Sequence, residues 1–381
     1  RDYKVTGVQT CALPILAPTD VYECFACKHV LSPEDCSSPE YREGVSCPYC
    51  YREQEESVES RRQMHQERIR QVAASQPGCQ AYENRRWISI PKRCAGQRLI
   101  DALQEIYPPY SPQQWLDAIR SGEIVAPFAT KTEWKTHSVD PDLIVREGER
   151  FLHAMPDYTE PPIDPGIELI HEDEAIVVVN KGAPLPLHPS GRFQRNTLEW
   201  ILHQVYQPEK LRPAHRIDAW TTGLVVFTRK YAFASKLQTQ FAQCKVDKCY
   251  LAWVDGIPTW DSIECDLPIS DVSLPNGGRK VDPAGQAART RFRRLRIEKG
   301  RSLIEARPLT GRTHQIRLHL AALGHAIIGD PLYGRVDGQL SSSTGEGGML
   351  LHAFRLRFNH PLTEAPVEYS ASRQGFAIGL A

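Results

Sequence analysis

Long hydrophobic runs are missing from this 381-residue chain: nowhere do eighteen apolar residues follow one another, so no transmembrane helix is expected. A charge excess is missing too. Lys and Arg number 46, and so do Asp and Glu. Overall charge therefore announces neither a nucleic-acid binder nor an acidic tail, although balance over a whole chain can hide local patches. The sequence shows no internal repeat, no strand–helix alternation of the Rossmann kind, no Walker loop and no GxGxxG fingerprint. Those gaps remove nucleotide cofactors from the expectation. A disulfide-scaffold pattern is also lacking. Of eleven Cys, four form two CxxC pairs and the rest are scattered, as free thiols of a cytosolic protein would be, so a cytoplasmic location is expected.

What is present divides into five stretches. Residues 1–20 contain VTGVQTCALPI, Val5 to Ile15. This is too short for a membrane span and lacks the three-part pattern of a signal peptide. It resembles an in-frame translation of a sequencing-library adapter. Residues 1–20 are therefore expected to be an artefact or a disordered tail, with Cys11 part of it and the coding sequence proper starting near Leu16. Residues 21–50 form a cysteine module. Residues 51–86, opening YREQEESVESRRQMHQERIRQVAASQ, are mostly charged or Gln and read as a solvated linker helix, stopped by Pro77-Gly78. Residues 87–165 hold a short strand at WISIP and two amphipathic helices, the second opened by Ser111-Pro112. This extension reads as an RNA-binding appendage or a packing extension. From residue 166 to 381 the texture becomes short β-favouring runs, IELIHEDEAIVVVNKG, LVVFTR, YLAWVDG, SLIEARPL and FRLRF, with a helix at YAFASKLQTQFAQ. An α+β domain with a mixed, largely antiparallel sheet and flanking helices is expected. The sequence mildly favours a monomer.

In the cysteine module, Cys24 and Cys27 are separated from Cys47 and Cys50 by nineteen residues. Two CxxC turns can close a tetrahedral zinc site. Redox thiols or simple buried thiols are the other readings of the pairs. A site with four protein ligands holds structure and has no open position for chemistry, so a zinc-ribbon-like module with structural zinc is expected. The segment CFACKHVLSPEDCSSPEYREGVSCPYC resembles the C-terminal region of the rhodanese-related tRNA uridine hydroxylases. In that family the catalytic rhodanese domain lies upstream. Nothing here corresponds to it, so a truncation at the adapter is expected and no hydroxylase activity is carried over. Cys36 receives no role.

Four further blocks concentrate polar residues among apolar strands: NKGAPLPLHPSGRFQRNTL, AHRIDAWTTGLVVFTR, KCYLAWVDG and LTGRTHQIRLHLAALGHAIIGDPLYG; LLHAFRLRFNHP follows them. Asp218 sits at a loop–strand junction, where an acid can be an exposed nucleophile or base. Arg312, His314 and Arg317 are close in sequence, and a helix there would show one polar face and bury the other. An arginine can clamp a carboxylate in two-point geometry and keep it ionised despite burial. Tyr250 offers a flat ring and a hydroxyl. Spacing alone leaves a structural ion pair as the commoner reading.

These blocks resemble the RluA-type pseudouridine synthase family over residues 166 to 368, with a weaker N-terminal extension from 87. HRIDAWTTGL is similar to the family motif HRLD-x-x-TSGL, and TGRTHQIRLHLAALGHAIIGDPLYG to the family's C-terminal motif along its whole length. The resemblance implies the pseudouridine synthase fold and isomerisation of a uridine in structured ribosomal or transfer RNA. It implies that Asp218 is the catalytic carboxylate, that Arg317 pairs with it, and that Tyr250 stacks on the base and helps remove the C5 proton. It places Arg216 in the space left by the flipped nucleotide. No catalytic cofactor or metal is implied. Two departures stand in the first block, where the family commonly reads NKPAG: Gly182 replaces proline and Pro184 falls near the usual glycine. Ile217 and Thr222 are milder changes.

The basic stretch from Arg279 to Arg301 is expected to touch phosphates, with Arg289, Arg291 and Arg293 alternating on one face of a strand. A solvated edge strand is its other reading. Arg192, with Arg195, is a weaker RNA contact; Arg312 and His314 are candidates too. Trp220 touches a flanking base or simply packs. Other classes are a catalytically silent RNA-binding module, a zinc-dependent hydrolase or deaminase, and a scaffold whose zinc module binds a partner. The deaminase class is excluded by the lack of an HxE with PCxxC pattern.

Overall fold

The computed structural model describes residues 22–23, 29–38, 41, 47–49, 58–129, 134–274, 277–336, 339–340, 348–372 and 376. Gly78–Pro161 forms one compact unit, and the described residues on either side of it form another. The adapter-like stretch lies outside the described residues, as do Cys24, Cys27 and Cys50. No helix of the described residues is long and apolar enough to cross a membrane.

Helix α1 (Val58–Ala74) ends shortly before Pro77-Gly78. It was expected to be a solvated linker, and the structure differs. Ile69 and Ala73, one turn apart, are fully buried and share a core cluster with Ile167, Val177 and Val225. Two apolar positions four apart, with Val72 beside them, make a stripe hard to see among Arg, Gln and Glu but wide enough to seat one face.

The Gly78–Pro161 unit contains β1 (Tyr82–Ser89), α2 (Leu99–Ile106), α3 (Pro112–Arg120), β2 (Ile124–Ala129), β3 (Trp134–Ser138) and β4 (Arg150–Tyr158). Its sheet runs β1-β4-β2-β3, all antiparallel. Leu99, Leu103, Trp115 and Ile119 of the helices bury against Ile124 and Phe151. Ser111 opens α3 as expected. Its hydroxyl accepts the Gln114 N–H and the Gln114 side chain accepts the Ser111 N–H, a reciprocal cap. The unit begins before residue 87, the expected boundary, because β1 starts at Tyr82 and the Gly78 carbonyl accepts the Glu160 N–H at 2.7 Å.

The larger unit continues with β5 (Ile167–Glu172), β6 (Ile176–Lys181), α4 (Leu198–Tyr206), β7 (Thr222–Thr228), α5 (Tyr231–Ala242), β8 (Asp247–Asp255), β9 (Ser262–Cys265), β10 (Thr290–Glu298), β11 (Arg301–Pro308), α6 (Gln315–Ala322), β12 (Leu351–Asn359) and β13 (Pro366–Ser370). The sheet has ten strands in the path β9-β10-β11-β8-β12-β7-β6-β5, with β13 on β12 and the short strand Arg212–Pro213 on β7. Only the β7–β12 pairing is parallel among the described strands of this sheet. This is the mixed, largely antiparallel sheet expected.

The central strands read as continuous apolar runs because both of their faces are covered. Val177, Val179, Val225 and Phe227 pack with α4 through Leu198, Ile201 and Leu202. The alternate residues Ile176, Val178, Leu224 and Val226 pack with Leu237 of α5. Helix α6 covers β8 and β11, with Ile316 and Leu320 against Ala252, Val254 and Ile304.

Candidate active site

Sheet register assembles the site. Ala353 of β12 pairs with Gly223 of β7 on one side and with Tyr250 of β8 on the other. The loop before β7 is therefore carried next to Tyr250, although the residues are far apart in sequence. Gly223 has φ +111°, and a Cβ there would collide with the Ala353 backbone. The glycine of the TTG turn is thus required by close strand approach. The Thr222 hydroxyl beside it is buried against the Leu351 carbonyl and the His352 ring.

Asp218 occupies the loop ahead of β7, and two carbonyl contacts fix that loop. The Ala219 carbonyl accepts the Leu185 N–H at 2.9 Å and a Lys181 ammonium N–H at 3.1 Å. Lys181 is buried and also donates to the carbonyls of Gly182 and Leu185, at 3.0 and 2.8 Å. It joins the first polar block to the second. Gly182, one of the departures noted above, faces the Asp164 carboxylate: a Cβ would come within 2.6 Å of it. Asp164 in turn accepts the N–H groups of Gly166 and Ala183. The altered turn is held by its own acceptor.

Arg317 reaches Asp218 from α6. Its Nη1 donates to Asp218 Oδ2 at 2.9 Å, the pair expected from sequence. Its other edge is gripped by Asp330, with Nε–Oδ2 at 2.7 Å and Nη2–Oδ1 at 2.8 Å. Side-chain exposure is 2% for Arg317, 0% for Asp330 and 27% for Asp218. The guanidinium is thus locked by a fully buried carboxylate and presents its remaining edge to a partly open one. The two acids hold Arg317 well above its ordinary range despite burial, and hydrogen bonds from Arg317 lead the effects that hold Asp330 low against burial.

Around this pair lies a cavity of about 620 Å³. It is lined by Asp218, Tyr250, Arg216, Arg279, Arg312, Arg317, Lys248 and His314, among others. Among the described residues Asp218 is its one carboxylate, beside four arginines and a lysine. Arg216 is exposed and makes no hydrogen bond or ion pair among the described residues. Arg312 is tied at Nε to the Ala287 carbonyl, 3.1 Å.

Tyr250 is half-buried, its ring packing with two core clusters. Burial first, then Asp218, push its hydroxyl well above the usual phenol range. The pocket thus works against the expected proton removal by Tyr250 and leaves a neutral ring.

Helix α6 does not show the polar face expected. Gln315, Ile316, Arg317, Leu318, His319 and Leu320 are all buried, because the sheet covers one side and Ile269 and Ala288 pack on Leu318 at another. His314 precedes the helix with φ +58°. It was expected to face RNA. Its Nδ1 lies 2.9 Å from the Tyr333 hydroxyl and its Nε2 3.9 Å from Asp218 Oδ2. Tyr333 also accepts the Arg279 N–H at 2.7 Å, so its own proton is available to His314.

Arg289, Arg291 and Arg293 share an exposed face as expected, but their charges are paired. Arg289 and Arg291 meet Glu264 at 3.4 and 2.7 Å, and Arg293 meets Glu305 at 3.4 Å. Arg192 and Trp220 are exposed and do not line the cavity. In the cysteine module, Cys47 is buried with Leu31 and against Cys36, Tyr41 and Tyr49. Among the described residues no group of His, Cys, Asp and Glu could hold a metal ion. Sequence reasoning missed Lys181, Lys248, Asp330 and Tyr333, while Arg279, the head of the basic stretch, does line the cavity. Asp330 and Tyr333 stood in the quoted GDPLYG, Lys181 and Lys248 at the heads of their blocks; nothing in the spacing said what they touch.

A family model described as RNA pseudouridylate synthase matches residues 175–322. The human pseudouridylate synthase RPUSD2 is 38% identical over 213 residues, covering 55% of this chain and 38% of that protein. The ribosomal large subunit pseudouridine synthase D of Zymomonas mobilis is 35% identical over 222 residues, 55% of this chain and 70% of that one. The ribosomal large subunit pseudouridine synthase C of Vibrio vulnificus is 31% identical over 300 residues, 74% of this chain and 91% of that one. The chain thus spans well under half the length of the human relative.

Proposed function

Because the chain belongs to the RNA pseudouridylate synthase family, we propose that it converts uridine to pseudouridine in a structured ribosomal or transfer RNA, with Asp218 as the catalytic carboxylate. The observation that carries this reading is the one carboxylate among the described residues of a cationic cavity, held by an arginine that a buried acid immobilises. Such a site attracts a polyanion while keeping one acid aimed at a bound sugar.

The reaction breaks the bond from ribose C1′ to base N1, turns the uracil, and forms a bond from C1′ to C5; N1 gains a proton and C5 loses one. Asp218 either attacks C1′ or takes the C2′ proton to give a glycal. Arg317 keeps the carboxylate oriented in both routes. A uridine inside a helix must leave the stack first. Arg216, with no ion pair among the described residues and exposed at the cavity, suits the vacated space because a flat guanidinium both stacks and hydrogen-bonds. Tyr250 supplies a neutral ring against the base.

The Gly78–Pro161 unit is proposed as an RNA-binding appendage, and the working form as a cytoplasmic monomer. Structural zinc on Cys24, Cys27, Cys47 and Cys50 is proposed from the CxxC spacing alone. One zinc per purified chain supports it; none removes it.

The deciding experiment maps pseudouridines in ribosomal and transfer RNA from a strain lacking this gene, complemented with wild type or Asp218→Ala. A uridine modified only by the wild-type copy fixes substrate and residue together. If every pseudouridine survives the deletion and purified protein modifies no uridine of unmodified RNA, the enzyme reading falls. A silent RNA-binding module is then left.

A further inference from the structure

Lys248 stands on a wall shared by two cavities. It lines the active-site cavity with Asp218 and Tyr250. It also lines a neighbouring cavity of about 290 Å³, together with Lys245, Arg291 and Arg307, Pro308 and Leu309, and one carboxylate, Asp247, which Arg307 neutralises. Strand β8 carries Lys248 two residues before Tyr250, so alternation puts both side chains on one face.

The ammonium is incompletely satisfied. One N–H goes to the Thr310 carbonyl at 2.9 Å. The other two have no acceptor among the described residues. Burial pushes Lys248 below the ordinary lysine range, the expected response of a desolvated cation that lacks a counter-charge. The neighbouring arginines cannot substitute for it. Arg307 is held by Glu305 and Asp247, and Arg291 by Glu264. Lys245 makes no ion pair among the described residues and adds a second uncommitted charge to the same cavity. A desolvated ammonium with spare donors, beside a second free lysine, is a binding arrangement for an anion.

We propose that Lys248, backed by Lys245, holds the phosphodiester beside the flipped uridine, making the second cavity the subsite of the adjoining nucleotide. The proposal rests on the RNA reading of the active site. The base enters the larger cavity, and its backbone must leave along a wall. Lys248 is the basic residue common to both rooms. A purely structural lysine would do no more than fix the Thr310 turn, and would leave no electrolyte signature.

The test is equilibrium binding of a single-stranded oligouridylate to the full chain over a range of salt. Wild type is compared with Lys248→Met, Lys248→Arg and Lys245→Met. Lys248→Met is expected to bind about tenfold more weakly at 0.1 M salt, with a log–log salt slope shallower by roughly 0.7 to 1. Lys248→Arg keeps the slope, and Lys245→Met loses a smaller part of it. Thermal unfolding of Lys248→Met, expected to match wild type, separates binding from folding. An unchanged slope in Lys248→Met overturns the proposal, and so does salt-independent binding by wild type. Pseudouridine formation on unmodified RNA is measured on the same preparations. A slope that falls without any product keeps the phosphate subsite and rejects the enzyme reading.

Discussion

Arg317 makes three side-chain hydrogen bonds among the described residues, one to the partly open Asp218 and two into a place water does not reach. Two go to Asp330, which is fully buried and also accepts the N–H groups of Leu332 and Tyr333. Removing the guanidinium would strand that acid. Arg317→Met is therefore expected to cost roughly 3–5 kcal/mol of stability and to lower turnover by about a hundredfold or more. Arg317→Met combined with Asp330→Asn should recover much of the stability and none of the turnover. Chemical denaturation with single-turnover assays on the four-member cycle checks this; a double variant no more stable than the single one counts against it. The pairing of Arg317 with Asp218 was legible because two motifs of one resembled family carry those residues. Asp330 was not, since an acid in a turn gives no sign of burial until the helix packs. His314 was legible as a site residue, and it does line the cavity; its place ahead of the helix, with the ring on Tyr333, was not.

Individual elements show which patterns a sequence carries. The β5 to β8 runs and both helices of the smaller unit stood out through apolar periodicity, and Ser111-Pro112 marked a real cap. Register did not stand out. That Gly223 and Tyr250 flank Ala353 follows from long-range pairing that no local pattern specifies. Nor did the clasp of α1 on edge strand β5, where Arg62 donates to the Leu169 and Ile170 carbonyls and Gln66 to the Ile167 carbonyl, satisfying an edge that would otherwise be open. The catalytic loop has its own clasp. His215 Nε2 accepts the Val226 N–H at 3.2 Å, and its ring stacks on Phe241 of α5 at 4.5 Å. Burial pushes this histidine down to about 3 from 6.5. Below pH ~6.5 the unfolded chain binds a proton that the folded chain refuses. The stability His215 contributes is complete above that pH and is lost as pH falls toward 3, at up to ~1.4 kcal/mol per unit. His215→Gln keeps an acceptor for Val226 without titrating, so its stability should fall less steeply over that window. Parallel stability–pH curves for the two proteins would remove His215 as the cause.

On the scale of the whole molecule, the smaller unit is an insertion with closed ends. Just outside it, Gln76 and Ile163 exchange two hydrogen bonds of 2.8 and 2.9 Å. Just inside, the Gly78 carbonyl takes the Glu160 N–H. Each core closes separately: the smaller unit on Trp115, Ile124 and Phe151, the larger on α1, α4 and the central strands. The described residues that line the active-site cavity belong to the larger unit. Replacing that unit with a short Gly-Ser bridge between Pro77 and Pro162 should therefore leave a cooperatively folding chain. If the unit binds RNA, the truncated chain will turn over a short uridine-containing oligonucleotide at close to the full-length kcat. Its KM for structured RNA will rise about tenfold, roughly 1.4 kcal/mol of lost binding. An equal fall in kcat on both substrates would instead make the unit a support for the catalytic fold. An unchanged KM on structured RNA would leave it without a part in RNA selection.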